Sequence, residues 1–170
     1  QRNMERAAEL VMNFKQVAVD QTSDQRRSFD LAEVVEGIII TLKPMLAGTD
    51  YEAISTVPAG LQFDSYPGAL GQALTNLITN AVIHGFDGRK HGEVVVSANG
   101  IGEASVRLSV RDDGRGIPAE QQGRLFDPFF TTKLGKGGSG LGLHVTHSLV
   151  TNVLGGTIAV CSEAGKGAEF

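Results

Sequence analysis

The chain has 170 residues, of which 41% are hydrophobic and 20% are charged, with a formal net charge of −4 at pH 7. These values are ordinary for a soluble globular domain and exclude the strongly basic surface typical of nucleic-acid binding. A single cysteine, Cys161, excludes an internal disulfide framework and a cysteine metal cluster. The sequence has no apolar run that could span a bilayer and no visible signal peptide. Because it starts within a helical pattern and without Met, we expect a piece of a larger protein.

The N-terminal region has an amphipathic pattern. Apolar residues recur at helical spacing from Met4 to Ala18 and predict a helix over about residues 2 to 24. This apolar stripe fits either a stalk that packs on another helix or a helix that docks on the core of this domain. A capping pattern from Asp30 to Glu33 then predicts the start of a second helix, which Pro44 and Gly48 end.

Strands and helices alternate along the rest of the chain. A short strand is predicted from Tyr51 to Val57, and Phe63 to Ser65 is predicted to be a brief connection. The later predicted elements are a helix from Pro67 to His84, a strand from Glu93 to Ala98, a turn at Asn99–Gly102, a strand over 106–110, one helical turn between Pro118 and Gly123, a helix that Ser139 caps and that runs to Leu154, and strands from Thr157 to Ser162 and after Gly167. This order predicts an α+β fold: a two-layer α/β sandwich in which three helices cover one face of a mixed sheet of about five strands.

Two asparagines share one ridge of the helix from Pro67 to His84. Asn76 and Asn80 are four residues apart, with Gln72 below them and His84 above. Asparagine is a mediocre helix former, so two on one ridge carry a small cost that a ligand would offset. Neutral oxygen ligands suit a Mg²⁺ ion that is shared with phosphates. The competing interpretation is a pair of solvated surface asparagines.

A glycine turn, Asp112 to Ile117, follows the strand over 106–110. A carboxylate at a strand end, beside glycines that let the backbone approach closely, can accept a hydrogen bond from an exocyclic amine such as that of adenine. Gly114 and Gly116 would leave room for a flat ring, and Ile117 could pack on it. The alternative is an ordinary Asp-Asp-Gly turn, which is very common.

An aromatic segment, 125–130, precedes a loop that is rich in Gly, Thr and Lys. Phe126 and Phe130 suit a hydrophobic anchor for a mobile lid, or an ordinary core-packing loop. Lys133 could reach phosphates as a point charge. Gly138, Gly140 and Gly142 would let backbone N–H groups turn toward an anion, at the positive end of the following helix. The glycines do not match a Walker loop or a dinucleotide fingerprint, and a flexible turn is the simpler interpretation of the loop alone.

The order and spacing of five runs distinguish between these alternatives. QALTNLITNA, DDGRGI, LFDPFFTTK, GSGLGL and GKGAEF resemble, in this order, the ATP-binding domain of sensor histidine kinases. That domain belongs to a superfamily shared with gyrase-type ATPases, Hsp90 chaperones and mismatch-repair ATPases. The resemblance covers residues 30–170 and implies a Bergerat-type ATP-binding fold. Residues 1–29 resemble the C-terminal part of the second helix of the kinases' dimerisation hairpin, a helical stalk.

The resemblance implies a role for each matching position. Asn80 corresponds to the Mg²⁺ ligand, Asn76 to a residue that helps hold metal and phosphates, and Asp112 to the carboxylate that binds the adenine amino group. Asn76, Asn80 and Lys133 are the candidates for promoting phosphoryl transfer. The implied nucleotide-binding residues are Asn76, Asn80, His84, Asp112, Gly114, Gly116, Ile117, Phe130, Thr131, Thr132, Lys133, Gly138, Ser139, Gly140, Leu141 and Gly142. The cofactors implied are ATP and Mg²⁺, and residues 131–140 would form a lid over the phosphates.

The sequence departs from the family pattern at several positions, of which the change at Asp113, where an asparagine is frequent, is mild. Ile83 stands where many relatives carry a basic residue. Ala168 stands where many have a threonine that supports the adenine-binding Asp through water, which puts the affinity for adenine in doubt. Histidine kinases phosphorylate a histidine that precedes an acidic residue in a helix, and none of the four histidines here has that context.

The resemblance therefore implies a cytoplasmic domain of a protein-histidine kinase. Its partners would be the phosphoacceptor hairpin of the same protein, in a homodimer, and a response regulator, but no nucleic acid. The parent protein could be an inner-membrane sensor or soluble. The alternatives are an ATP-hydrolysing clamp of the gyrase or Hsp90 type, a nucleotide-sensing module without kinase activity, and a serine kinase of an anti-anti-sigma partner. The clamp generally needs a carboxylate on the asparagine helix, where this chain has Asn76 and Gln72.

Overall fold

A mixed five-stranded sheet is the framework of the domain. The computed structural model describes residues 25–102, 104–132 and 140–170, so the predicted N-terminal helix lies outside the described residues. The elements are β1 (Arg27–Asp30), α1 (Leu31–Leu46), β2 (Asp50–Ser55), β3 (Gln62–Ser65), α2 (Pro67–Asn80), β4 (His91–Ile101), β5 (Ser105–Asp112), α3 (Ala119–Gln122), α4 (Gly142–Ser148), β6 (Cys161–Ser162) and β7 (Ala168–Glu169). Helix α2 continues as a π-helical segment, Ala81–Gly85, and α4 continues as a second one, Leu149–Val153.

The strands of the main sheet lie in the order β2-β4-β5-β7-β6. Strand β2 runs parallel to β4, whereas all the other neighbours in this sheet are antiparallel. Val94, Val96 and Ala98 point to the same face, because side chains along a strand alternate, and all three are buried. Leu74 and Ile78 of α2 and Val35 of α1 complete that core. The predicted α+β sandwich with a mixed sheet of about five strands is confirmed.

A second, two-stranded sheet was not predicted. Strand β1 pairs with β3 in antiparallel register, and the rings of Phe29 and Phe63 meet edge to face with centroids 5.7 Å apart. The segment predicted as a connection, Phe63 to Ser65, is therefore part of a strand. The prediction that a helix starts at Asp30 is confirmed. The Asp30 carboxylate caps α1 by accepting a hydrogen bond from the Ala32 N–H at 2.9 Å.

Several predicted boundaries were wrong. The helix predicted to be capped by Ser139 begins at Gly142, with Leu141 as its N-cap residue. Helix α1 passes through Pro44 and ends at Leu46. Strand β4 extends to Ile101, which pairs with Ser105, so the turn of this hairpin begins at Gly102. The strand predicted from Thr157 is limited to Cys161–Ser162, because β6 pairs only with the two residues of β7. No helix among the described residues is long and apolar enough to cross a membrane.

Candidate functional site

A cavity of about 790 Å³ opens between α2, α4 and the glycine turn after β5. Most of the predicted site residues line it. These are Asn76, Asn80, His84, Asp112, Gly116, Ile117, Phe130, Thr131, Thr132, Gly140, Leu141 and Gly142. Gly114 lies behind Asp112 and does not line the cavity, whereas Lys133, Gly138 and Ser139 lie outside the described residues. The fold thus brings together predicted site residues that are up to 66 positions apart in the chain, from Asn76 to Gly142.

Asp112 forms one end of the cavity. It is the last residue of β5, and only 7% of it is exposed. Its carboxylate accepts hydrogen bonds from the backbone N–H groups of Gly114, at 2.8 Å, and of Ala168. Burial nevertheless raises the pKa of Asp112 above its ordinary value of 3.8, and these two hydrogen bonds and Arg89 only partly oppose that shift. Asp112 is the only carboxylate that lines the cavity within the described part of the chain.

Glycines allow the backbone to approach Asp112 closely. A Cβ added to Gly85 would lie 3.1 Å from the Oδ1 atom of Asp112, and one added to Gly114 would lie 2.6 Å from the same atom. The Cβ at Gly114 would also lie 2.7 Å from the carbonyl oxygen of Gly85. A side chain at either glycine would therefore occupy the space next to the carboxylate.

The π-helical segment after α2 forms a wall of the cavity. Its Ala81, Ile83, His84 and Gly85 all line the cavity, and the widened turn is closed by the bond from the Phe86 N–H to the Ala81 carbonyl at 2.9 Å. Phe86 is completely buried and packs against Tyr51 with the ring centroids 4.9 Å apart, which holds the end of this turn in place. Such π turns inside helices are frequent at functional sites.

Asn80 and Gly142 lie next to each other at the end of the cavity that is opposite Asp112. A Cβ on Gly142 would lie 3.6 Å from the Nδ2 atom of Asn80, an ordinary van der Waals contact, so the two residues are close neighbours. The Nδ2 atom of Asn80 is buried and has no hydrogen-bond partner among the residues that the structure describes. Buried polar groups are nearly always paired in proteins, so this amide is free to serve a ligand.

The amide of Asn76, in contrast, is already bonded within the protein. Its Nδ2 atom donates to the carbonyl oxygen of Gly142 at 3.2 Å and to the hydroxyl of Thr146 at 3.3 Å. Its Oδ1 atom accepts from the side chain of Gln72 at 3.3 Å. Asn76 thus borders the cavity but fastens the first turn of α4 to α2. The sequence did not predict this use of the side chain.

The aromatic segment packs against α4. The Nδ1 atom of His144 lies 3.0 Å from the Phe126 carbonyl oxygen, and the rings of Phe126 and His147 have centroids 5.2 Å apart. Phe130 lines the cavity, with the Arg124 guanidinium 5.0 Å from the centroid of its ring. Phe126 is therefore an anchor, whereas Phe130 reaches the site itself.

Comparisons with known proteins agree with this geometry. A family described as histidine kinase-, DNA gyrase B-, and HSP90-like ATPase matches residues 66–170. The chain belongs to this family. Over 120 residues it is 42% identical to the sensor histidine kinase ZraS of Escherichia coli K12. The aligned region covers 71% of this chain and 24% of ZraS. The chain therefore spans about a quarter of the length of this curated relative.

Solved structures show the same fold. The catalytic domain of the histidine kinase ThkA superimposes with a TM-score of 0.74 at 25% identity, covering 86% of this chain and 92% of that one. Full-length ShkA in complex with AMPPNP gives a TM-score of 0.72 at 29% identity, covering 86% of this chain and 30% of that one. These structures and ZraS indicate that the chain is an ATPase domain of the histidine kinase branch.

Proposed function

We propose that this domain binds Mg·ATP and transfers the γ-phosphoryl group to a histidine on a dimerisation hairpin, in two-component signal transduction. The observation that carries the proposal is the polarity of the cavity. A buried carboxylate, Asp112, lies at one end, and the unpaired amide of Asn80 lies beside the start of α4 at the other. A nucleotide has the same polarity, with an amine on the base at one end and phosphates at the other.

Adenine is the base that this arrangement favours. The Asp112 carboxylate already accepts two backbone hydrogen bonds and can accept another from an exocyclic amine in the cavity. Gly116 and Ile117 form the adjacent wall, where the flat ring would pack. Ala168 is buried and pairs with Asp112 across β5 and β7, so no side-chain hydroxyl at this position supports the carboxylate.

The phosphate end suits a metal that is shared with the nucleotide. The described residues contain no cluster of three or more His, Cys, Asp or Glu side chains, so a metal there would be held largely by amide oxygen, water and phosphate. The amide oxygen of Asn80 is the group that would ligate Mg²⁺. When bound, Mg²⁺ would supply positive charge to the phosphate oxygens. Lys133, Thr131, Thr132 and the backbone of 138–142 remain the predicted phosphate contacts.

Positioning is the chemistry that these residues can provide. The cavity would hold a nucleotide by its base and its phosphates and would exclude water from part of the nucleotide. A nucleotide held in this way is positioned for in-line attack by a correctly placed acceptor. We infer that the acceptor lies on another segment, because none of the four histidines precedes an acidic residue in a helix, as the acceptor of histidine kinases does. Each of the four has contacts of its own in this domain. His84 lines the cavity, His144 and His147 contact Phe126, and His91 faces Asp50 at 3.6 Å.

The cavity favours this transfer over hydrolysis by a clamp. A hydrolytic clamp needs a carboxylate near the phosphates to activate water, and Asp112, at the base end, is the only one in the described lining. The ridge of α2 carries amides instead, and that of Asn76 is bonded to Gly142 and Thr146. We therefore propose a homodimeric parent kinase that phosphorylates its own hairpin and passes the phosphoryl group to a response regulator. In a solved structure, the histidine kinase ThkA is in complex with the response regulator protein TrrA.

Phosphotransfer in trans tests the proposal. The domain is mixed with the dimerisation hairpin of the parent protein, Mg²⁺ and ATP labelled at the γ-phosphate. We expect acid-labile, base-stable label on the hairpin with the wild type and with the control His91→Ala, and none with Asp112→Ala. ATP hydrolysis without transfer would support the clamp instead, and nucleotide binding without either reaction would support a sensing module.

A further inference from the structure

Two turns interlock behind the base end of the cavity. The turn 114–117 packs against the turn 162–167 that joins β6 to β7, and the Gly165 N–H donates to the Arg115 carbonyl at 2.6 Å. A Cβ on Gly116 would collide with the carbonyl oxygen of Glu163, and one on Gly167 would collide with the carbonyl oxygen of Asp112. The φ angles of Gly116 and Gly167 are +71° and +81°, which side chains rarely adopt. The position of either turn therefore depends on the other.

The hydroxyl of Ser162 joins the two turns. It accepts a hydrogen bond from the Ile117 N–H at 2.8 Å and donates one to the carbonyl oxygen of Gly167 at 2.7 Å. Gly167 directly precedes Ala168, whose backbone N–H bonds the Asp112 carboxylate. One hydroxyl thus connects the residue that would pack on the base, Ile117, with the strand that orients the carboxylate.

The side chain of Gln122 closes the same arrangement from α3. Its Nε2 atom donates to the carbonyl oxygens of Ile117 and Ser162, each at 2.9 Å. Together, Ser162 and Gln122 bond both the N–H and the C=O of Ile117. Neither Ser162 nor Gln122 lines the cavity, whereas Ile117 does. Any effect of these two side chains on a ligand must therefore pass through the backbone that they hold.

We propose that Ser162 and Gln122 are positioning residues that set the shape of the base end of the site, and so determine the affinity for the adenine part of the nucleotide. This proposal rests on the proposed function. Removing the Ser162 hydroxyl leaves the partly buried N–H of Ile117 and the carbonyl of Gly167 without that partner, which allows the two turns to separate. The phosphate end lies across the cavity and keeps all its contacts, so binding of phosphates alone is unaffected.

Calorimetric titration of the variants with two probes tests the proposal. The probes are Mg·ADP, which has a base, and Mg·tripolyphosphate, which has none. We expect Ser162→Ala and Gln122→Leu each to raise the Kd for Mg·ADP about tenfold and to leave the Kd for tripolyphosphate unchanged. Ser162→Thr, which keeps the hydroxyl, should restore most of the affinity for Mg·ADP.

Ser109→Ala is the matched control. The Ser109 hydroxyl donates to the Glu169 carboxylate at 2.6 Å, which also joins two neighbouring strands but on an exposed part of the sheet. The variant Ser109→Ala should bind both probes with the same Kd as the wild type. Unfolding in urea without nucleotide shows whether each variant is folded.

Three results would overturn the proposal: wild-type affinity for Mg·ADP in Ser162→Ala and Gln122→Leu, an equal loss of affinity for both probes, or loss of the folded state in both variants. The last two would show that these side chains support the domain as a whole. If the wild type itself fails to bind Mg·ADP, the proposed function fails, which is a different result from unchanged variants of a wild type that binds.

Discussion

Asn76 donates a hydrogen bond from its side-chain amide to the carbonyl oxygen of Gly142, 3.2 Å away, and so fastens α4 to α2. Thr146 takes part in the same contact. Its hydroxyl accepts from the Asn76 amide at 3.3 Å and donates to the Gly142 carbonyl at 2.9 Å. This polar contact between two helices is buried, since Thr146 is completely inaccessible to solvent. The position of the backbone at the phosphate end of the cavity therefore depends on it.

Thr146→Val should lower the free energy of unfolding by about 1–2 kcal/mol, because the variant buries a methyl group where the Asn76 amide had an acceptor. It should also weaken the binding of Mg·tripolyphosphate several-fold, since the first turn of α4 loses a constraint. Urea unfolding and calorimetric titration measure the two effects.

The control is Thr151→Val. The Thr151 hydroxyl donates to the His147 carbonyl at 2.8 Å. As in Thr146, the acceptor is the backbone carbonyl four residues earlier in the chain. No hydrogen bond to α2 is recorded for Thr151 in the described structure, so its replacement should change the free energy of unfolding by less than about 0.5 kcal/mol. Equal losses in the two variants would mean that the contact with Asn76 contributes nothing.

Gly114→Ala should abolish the base end of the site. The new Cβ would lie 2.6 Å from the Asp112 Oδ1 atom and 2.7 Å from the backbone carbonyl oxygen of Gly85, and a backbone atom cannot rotate away as a side chain can. We expect the Kd for Mg·ADP to rise by well over tenfold. Gly123→Ala is the matched control, because nothing lies within 4 Å of its Cβ and its φ of −67° suits alanine. Similar affinities of the two variants for Mg·ADP would contradict the assignment of Asp112 to the base.

Local patterns predicted much of this site. The ridge of Asn76 and Asn80 follows from helical spacing alone, and a carboxylate beside glycines at a strand end indicated the position of Asp112. The order of the runs then indicated that these segments share one cavity. These features could be predicted because each depends on neighbours in the chain, and their roles toward a nucleotide stay predictions.

Long-range contacts account for what the sequence did not predict. The amide of Asn76 is bonded to residues that are 66 and 70 positions away, so its helical spacing could not show whether it faces a ligand or a neighbouring helix. Strand β3 depends on β1, about 35 residues earlier, and the four residues of β3 carry no strong strand pattern. Ser162 and Gln122 are ordinary surface residue types whose role arises only from the packing of two turns.

Asp112→Asn should separate stability from binding. The ionised carboxylate is buried, and its burial outweighs the hydrogen bonds that favour the charge, so an amide of the same shape should stabilise the unliganded domain at neutral pH. An amide NH₂ facing the cavity cannot accept a hydrogen bond from the amine of adenine. We therefore expect a melting temperature a few degrees higher than that of the wild type, and a much smaller further increase with Mg·ADP than the wild type shows. Stabilisation of the variant by Mg·ADP to the same extent as the wild type would refute the assignment of the carboxylate to adenine.

The stability of the wild type relative to Asp112→Asn should depend on pH in a definite direction. The pKa of Asp112 is raised in the folded state above its ordinary value of 3.8, so the unfolded chain releases this proton more readily than the folded one. The wild type therefore carries the full cost of the buried charge at a pH above the raised pKa. As the pH falls through that pKa toward 3.8, the folded carboxyl takes up its proton first and the cost disappears. The deficit of the wild type relative to the variant, measured as a difference in free energy of unfolding in urea, should thus shrink on acidification. Subtracting the variant cancels the titration of all other groups that the substitution does not affect. A deficit that grows as the pH falls would show that the folded state favours the charged form, and that the hydrogen bonds from Gly114 and Ala168 outweigh burial.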